Sequence, residues 1–236
     1  MANNGDYKDL TLIIPTFNEV ENVDKIALLI TGAYKGARIL FADDGSTDGT
    51  RELVRKLSRK HHCISLLDRS SSRVHGLTIS VISAAMQVST SKIVVMDADM
   101  QHPVSKVRHI YKKLDSYDIV VGVRTRVKSW GLHRRVMSKG MAYIAYAVLK
   151  LRRKPVCNDM MSGFFGIRTR LFKRIIREHA DSYAGTGYKV LLDTLRLAGK
   201  GVTIGEVPYA TFHNRSSGNS KFKPKIMLDT LKSVFR

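Results

Sequence analysis

The sequence is poor in cysteine and in long apolar runs, and each shortage excludes a class of protein. Its two cysteines, Cys63 and Cys157, lie far apart in 236 residues. This excludes a disulfide-rich secreted scaffold and predicts buried, unreactive thiols in a reducing compartment. No stretch reaches the roughly 20 apolar residues of a membrane-spanning helix, and the first residues lack the pattern of a secretory signal. We therefore expect a cytoplasmic protein.

Acidic residues are also scarce, with 20 Asp+Glu against 40 Lys+Arg and a formal net charge of +20. Such an excess predicts an anionic partner, which could be nucleic acid, a phospholipid surface or a phosphorylated substrate. Residues 124–154 hold ten Lys or Arg and no Asp or Glu, around the apolar stretch 141–149. That stretch is too short to span a bilayer but suits a buried or interfacial helix.

The basic segment favours a membrane surface among these partners, with an ordinary solvated face as the alternative. Nucleic acid is not expected, because the sequence has no nucleic-acid-binding motif and no basic platform interleaved with aromatic residues. The eight histidines have no spacing typical of a zinc site. We therefore expect peripheral attachment to the cytoplasmic face of an anionic membrane.

Short apolar runs alternate with amphipathic stretches through the first half of the chain. The predicted strands are Leu10–Pro15, Arg38–Ala42, Ile64–Leu67, Ile93–Asp97 and Ile119–Val123. The predicted helices are Val20–Ile30, Thr50–Lys60, Leu77–Val88 and Val104–Leu114, with Asp48 as an N-cap and Pro103 in a first helical turn. This alternation predicts an α/β fold with a mostly parallel central sheet flanked by helices.

The second half is predicted to contain further helices near Arg168–His179 and Tyr188–Leu197, and a strand over Val202–Phe212. The last residues, Lys223–Arg236, place apolar side chains among Lys and Arg. We expect them to form a basic amphipathic helix at a membrane interface, following a single domain of residues 1–222.

Two acidic clusters follow predicted strands, at residues 43–49 and 97–101. Carboxylates at the carboxyl ends of parallel strands line the crevice where open α/β sheets bind ligands. Asp97 and Asp99 could orient a ribose and bind Mg²⁺ or Mn²⁺ bound to a nucleotide diphosphate, with Gln101 and His102 as further ligands. Each cluster taken alone could instead be a solvated turn. Asp43 could accept hydrogen bonds from a nucleotide base.

Four motifs occur in order: Pro15-Thr16-Phe17-Asn18-Glu19, Asp43-Asp44-Gly45-Ser46-x-Asp48-Gly49-Thr50, Asp97-Ala98-Asp99-x-Gln101-His102-Pro103 and Arg215-x-x-Gly218-x-Ser220-Lys221. With them the chain resembles the family-2 inverting glycosyltransferases of the GT-A fold, and among these the dolichol-phosphate mannose synthases. The ordered set is far more specific than any one motif. Residues 158–161 depart from the arrangement that is commoner in the family.

The resemblance implies a role for each matching residue. Asp99 and Arg124 would be catalytic. The donor nucleotide sugar would be bound by Pro15, Phe17, Glu19, Phe41, Asp43, Asp97, Ala98, Asp99, Arg124, Gly187, Lys189, Arg215 and Lys221. The metal ligands would be Asp97, Asp99 and Gln101. The acceptor phosphate would be bound by Arg124, Arg134 and Ser138.

The implied reaction transfers mannose from GDP-mannose to dolichyl or another polyprenyl phosphate, giving a β-linked product. Such an acceptor needs no strong general base, because a phosphate monoester is already ionised near neutral pH. A UDP-glucose-dependent polyprenyl-phosphate glucosyltransferase is the alternative within the enzyme class. An inactive basic module that binds membranes or nucleic acid is the alternative from another class. A partner subunit that anchors the chain to the membrane is also compatible with the sequence.

Overall fold

The computed structural model describes residues 6–126, 143–183 and 189–210, and seven strands in these ranges form one sheet. In chain order they are β1 (Leu10–Thr16), β2 (Arg38–Asp43), β3 (Ile64–Asp68), β4 (Lys92–Val95), β5 (Ile119–Arg126), β6 (Phe165–Arg168) and β7 (Ile204–Ala210). Across the sheet the order is β3-β2-β1-β4-β6-β5-β7.

Strand β6 is the exception in an otherwise parallel sheet. β1 pairs in parallel with β2 and β4, β2 with β3, and β5 with β7. β6 is antiparallel to both of its neighbours, β4 and β5. The predicted mostly parallel α/β sheet is confirmed, whereas β6 was not predicted.

Seven α-helices in the described ranges flank the sheet: α1 (Val20–Ala33), α2 (Thr50–Lys60), α3 (Leu77–Gln87), α4 (Val107–Lys113), α5 (143–151), α6 (Thr169–His179) and α7 (Val190–Leu197). The helix predicted from Val104 begins instead with a 3₁₀ turn, Val104–Lys106, and Pro103 lies just before that turn. The predicted amphipathic helix Lys223–Arg236, and with it the boundary after residue 222, lies outside the described residues.

Consecutive residues of each central strand enter two separate hydrophobic cores, one on each face of the sheet. Ile13 of β1 packs in the core that α3, α5, α6 and α7 cover. Its neighbours Leu12 and Ile14 pack in the core that α1, α2 and α4 cover. This is the alternation expected of strands buried on both faces, and it gives three layers with the sheet in the middle.

The parallel strands β1, β2 and β4 end at the same edge of the sheet, so the loops that follow them meet there. Both acidic clusters of the sequence lie in these loops. Among the residues that the structure describes, no helix has both the length and the apolar content to cross a membrane.

Candidate functional site

The loops after β1 and β2 are bound to each other by side chains. The amide of Asn18 donates to the Ser46 hydroxyl at 2.8 Å, and the amide of Thr47 donates to Asn18 Oδ1 at 2.9 Å. Asp48 accepts hydrogen bonds from the first amide of α1, at 3.1 Å, and from the Thr50 amide, at 3.0 Å. One carboxylate therefore joins the starts of two helices. The N-cap position predicted for Asp48 is occupied by Gly49, whose left-handed φ of 95° favours glycine.

Asp43 ends β2 with a side chain that is wholly buried. Its Oδ1 accepts hydrogen bonds from the amides of Gly45, at 3.1 Å, and Ser46, at 2.8 Å. Its Oδ2 accepts hydrogen bonds from the hydroxyls of Thr16, at 2.9 Å, and Ser46, at 2.6 Å. Both oxygens therefore hold the turn that follows β2.

Asp44 connects the same turn to the start of α3. Its carboxylate accepts a hydrogen bond from the Gly76 amide at 2.5 Å and lies 3.4 Å from Nε of the buried Arg69. Arg69 in turn donates to the Ser83 hydroxyl and to the Val74 carbonyl. These contacts fix α3 against the edge of the sheet where the acidic loops meet.

Asp97 lies just beyond β4 and is held from two sides. His102 Nδ1 accepts a hydrogen bond from the Asp97 amide at 3.0 Å, and His102 Nε2 lies 3.7 Å from Asp97 Oδ2. Gly163 approaches the carboxylate so closely that a Cβ at this position would lie 2.9 Å from Asp97 Oδ2. The next acid, Asp99, is buried and accepts a hydrogen bond from the Gln101 amide at 3.1 Å.

His102 supports Asp97 as a neutral imidazole. Burial lowers the pKa of His102 to about 4. Since Nδ1 accepts a hydrogen bond, the proton of the neutral ring is on Nε2, which faces the Asp97 carboxylate. The ring stacks on Phe164 with centroids 5.2 Å apart. Both ring nitrogens are thus directed at Asp97, which makes His102 a positioning residue rather than the metal ligand that the sequence suggested.

Arg124 of β5 forms a bidentate ion pair with Asp159. Its Nε donates to Asp159 Oδ2 at 2.7 Å and its Nη2 donates to Oδ1 at 2.9 Å. Burial alone would lower the pKa of Arg124, but these hydrogen bonds raise it above its usual value. The guanidinium therefore stays charged, and its plane is fixed by the carboxylate.

A small cleft at this edge of the sheet brings several of these elements together. It is lined by Pro15, Leu77, Thr78, Val81, Val95, Asp97, Ser162, Gly163 and Val190. No three His, Cys, Asp or Glu side chains in the part of the chain that the structure describes converge as a preformed metal site. The oxygen donors of Asp97, Asp99 and Gln101 nevertheless fit a hard cation, because Mg²⁺ usually takes one or two carboxylates and completes its shell with substrate phosphates and water.

Comparison with known proteins identifies the family. The model of glycosyl transferase family 2 matches residues 11–176. The chain belongs to glycosyl transferase family 2. This confirms the family and the enzyme class that the sequence motifs predicted.

This family-2 chain is similar to three proteins named dolichol-phosphate mannosyltransferase. It is 31% identical to the one from Pyrococcus furiosus, over 96% of this chain and 63% of that protein. It is 31% identical to the one from Mycosarcoma maydis, over 95% of this chain and 77% of that protein. It is 27% identical to the one from Saccharomyces cerevisiae, over 96% of this chain and 85% of that protein. The chain thus spans less than two thirds of the Pyrococcus relative.

Solved structures confirm the GT-A fold of the family-2 chain. Glucosyl-3-phosphoglycerate synthase from Mycobacterium tuberculosis, in complex with Mn²⁺, UDP-glucose and phosphoglyceric acid, superposes with a TM-score of 0.65 at 16% identity, over 96% of this chain and 78% of that one. Mannosyl-3-phosphoglycerate synthase from Rubrobacter xylanophilus superposes with a TM-score of 0.59 at 15% identity, over 96% of this chain and 71% of that one.

The structure places the predicted donor residues at different depths. Pro15 and Asp97 line the cleft, and the Phe17 side chain is 40% exposed. The Glu19 carboxylate accepts a hydrogen bond from Asn22 at 2.8 Å. The predicted donor residues with fully enclosed side chains are Phe41, Asp43, Ala98 and Lys189. The predicted residues outside the described ranges are Arg134, Ser138, Gly187, Arg215 and Lys221.

Sequence reasoning missed the roles of two residues in this site. Asp159 lies in the segment 158–161 that departs from the family's commoner arrangement, and its pairing with Arg124, 35 positions away, needs the tertiary structure. The ring of Tyr209 in β7 packs edge-on against His102 and Phe164. The sequence could not reveal this role, because Tyr209 is one residue among others in a predicted strand.

Proposed function

We propose that this chain transfers mannose from GDP-mannose to the phosphate of dolichol or another polyprenol, giving the β-linked polyprenyl phosphate mannose. The observation that carries the proposal is the similarity, over at least 95% of the chain, to three proteins named dolichol-phosphate mannosyltransferase. The site supports it, because acidic side chains suited to a cation that would bind a diphosphate lie near a fixed arginine.

The donor would lie at the carboxyl ends of β1, β2 and β4. Asp97, Asp99 and Gln101 would hold Mg²⁺ or Mn²⁺, a role that the Mn²⁺ and UDP-glucose bound by the Mycobacterium structure support. When bound, such a cation stabilises the charge that develops on the departing diphosphate. Phe17 and Glu19 would contact the nucleoside, and the buried Phe41 and Asp43 would shape the loop beneath it.

The acceptor phosphate would be bound by Arg124. Asp159 fixes the plane of the guanidinium and therefore the direction from which an anion can approach it. A phosphate oxygen that is already ionised needs a cation to hold it and no base to activate it, so a pre-oriented arginine suits this acceptor. Arg134 and Ser138 are proposed to complete the acceptor site. Gly187, Lys189, Arg215 and Lys221 are proposed for the donor phosphates.

Helix α5 is proposed to contact an anionic membrane on its cytoplasmic face. Ala145 and Leu149 enter the core, whereas Ile144 and Leu151 on the other side of the helix are exposed, Leu151 by 87%. Basic residues 152–154 follow directly. Near an anionic leaflet each such residue contributes about 1 kcal/mol of attraction. Residues 223–236, for which the sequence predicts a basic amphipathic helix, or a membrane-anchoring partner subunit, would strengthen this contact.

The deciding experiment measures lipid-extractable product from radiolabelled GDP-mannose and, separately, UDP-glucose, with a short polyprenyl phosphate and with Mn²⁺ or chelator. We expect product from GDP-mannose with Mn²⁺ only. Asp99→Ala should lower turnover at least 100-fold, while Asp24→Ala, at an exposed position of α1, should leave it unchanged. Product from UDP-glucose alone would replace the proposed donor, and full activity in chelator would remove the metal role.

A further inference from the structure

The hydroxyl of Tyr209 is a buried polar group without a hydrogen-bond partner in the described part of the chain. Tyr209 is 3% exposed, and its Oη finds no hydrogen-bond partner among the residues that the structure describes. Two other buried tyrosines, Tyr34 and Tyr183, do have partners, the Val104 carbonyl at 2.6 Å and the Thr194 hydroxyl at 3.2 Å. Because an unbonded buried hydroxyl destabilises a fold, its presence calls for an explanation.

The position of Tyr209 connects it to the charged site. In the sheet register Tyr209 of β7 is the direct partner of Arg124 on the parallel strand β5, so both side chains leave the sheet on the same face. The Thr125 hydroxyl donates to the Tyr209 carbonyl at 3.0 Å, which fixes the backbone here. The ring lies 6.1 Å from His102 and 5.7 Å from Phe164, perpendicular to both.

The phenol lies in the field of charges of both signs, so a phosphate suits it only together with the divalent cation proposed at Asp97 and Asp99. Burial keeps the pKa of Tyr209 well above its usual value, so the oxygen carries its proton and can donate a hydrogen bond. Arg124 is the cation whose charge acts on this phenol, and the carboxylates of Asp159, Asp97 and Asp99 act on it as well. A proton donor next to a fixed guanidinium is an arrangement that binds phosphate oxygens.

We propose that the Tyr209 hydroxyl donates a hydrogen bond to a phosphate oxygen of a substrate bound at Arg124. This inference rests on the proposed function, which brings two phosphate sources to the site: the diphosphate of the donor and the monoester of the acceptor. Since Oη is covered in this structure, the bond forms only as the cluster rearranges around the bound phosphate. Tyr209 is then a substrate-binding residue. Its hydroxyl stabilises the complex with substrate and destabilises the chain without substrate.

The test compares Tyr209→Phe with Tyr183→Phe, and each variant removes one buried hydroxyl. Tyr209→Phe should melt at or above the wild-type temperature, because the hydroxyl it loses has no partner, and its kcat/KM should fall about 10- to 100-fold. Tyr183→Phe should melt at a lower temperature with unchanged kinetics, because it loses its bond to Thr194, and neither residue is among the proposed donor, metal or acceptor residues. A purely structural role for Tyr209 would not combine an unchanged or higher melting temperature with a lower kcat/KM.

Separate measurements identify which substrate phosphate Tyr209 contacts. A raised KM for GDP-mannose with weaker GDP binding by calorimetry indicates the donor diphosphate, and a raised KM for the polyprenyl phosphate indicates the acceptor. Wild-type kinetics and GDP affinity in Tyr209→Phe, or a clear loss of its stability, would overturn the inference. Wild-type protein that forms no mannolipid would refute the proposed function instead, and calorimetry with GDP and the polyprenyl phosphate would still test the contact.

Discussion

Substitution of Asp43 distinguishes a residue that builds the nucleotide loop from one that touches the nucleotide. Its two oxygens accept four hydrogen bonds from Thr16, Gly45 and Ser46. Asparagine has the same shape and can keep all four contacts. Its carbonyl oxygen accepts from the two amides, and its NH₂ group donates to the two hydroxyl oxygens. Alanine loses all of them.

The expected energies differ enough to measure. Asp43→Ala leaves the Gly45 and Ser46 amides without their acceptor, at about 1–3 kcal/mol for each buried unsatisfied group. The two hydroxyls can turn to other acceptors, so the loss in free energy of unfolding should be about 2–6 kcal/mol. Asp43→Asn loses only the charge assistance of the bonds, so we expect a loss of about 1 kcal/mol.

Urea denaturation and calorimetric titration with GDP measure the two roles independently. If Asp43 acts through the loop, Asp43→Ala should lower GDP affinity at least tenfold, whereas Asp43→Asn should stay within about threefold of wild type. An alanine variant as stable as wild type would refute the hydrogen-bond reasoning. A well-folded Asp43→Asn that loses GDP binding would show that the carboxylate contacts the nucleotide directly.

Further predictions concern the Asp97 loop and the buried thiol. In Gly163→Ala the added Cβ, 2.9 Å from Asp97 Oδ2, should displace that carboxylate and lower turnover at least tenfold, and an unchanged rate would contradict the packing argument. The pKa of His102 is about 4 in the folded chain against 6.5 when unfolded, so the unfolded chain binds more protons between these values. The His102 contribution to the free energy of unfolding should therefore rise between pH 4 and pH 6.5, and urea titrations at each pH should show a smaller rise in His102→Gln than in wild type. Burial raises the pKa of Cys157 to about 12, so native protein at pH 8 should react with a thiol reagent at Cys63 alone, and mass spectrometry showing label at Cys157 would contradict this.

The parts of the fold that depend on local pattern were predictable. Strands β1 to β5 and helices α1 to α3 follow from apolar runs and helical spacing, with ends displaced by a few residues. Strand β6 could not be predicted, because Phe165–Arg168 has four residues and is a strand only through antiparallel pairing with β4 and β5. The 3₁₀ turn at Val104–Lys106 was likewise hidden, since its residues continue the apolar spacing of α4.

The site was predictable only in part, for a similar reason. Asp43, Asp97 and Asp99 lie at or just beyond the ends of parallel strands at one edge of the sheet, a placement that the sequence pattern already predicts. The support of Asp97 by His102 and Gly163 depends on a side-chain rotamer and on a loop 66 positions away. No spacing rule describes such contacts, so the sequence offered His102 only as a further candidate ligand and did not reveal its contacts with Asp97.

The ion pairs around Asp97 and Asp99 explain how a chain of net charge +20 could bind the proposed divalent cation there. His102 would cancel one carboxylate if it were protonated, but burial keeps it neutral, so it orients Asp97 without reducing the negative charge there. Asp159 compensates Arg124, which could otherwise repel a nearby metal ion. The carboxylates of Asp97, Asp99 and Asp159 with this one guanidinium leave two negative charges, which is the charge that a divalent ion balances. Under the proposed function, a substrate diphosphate would bind to this ion rather than to the acids, so an acidic loop and an anionic substrate would share one site.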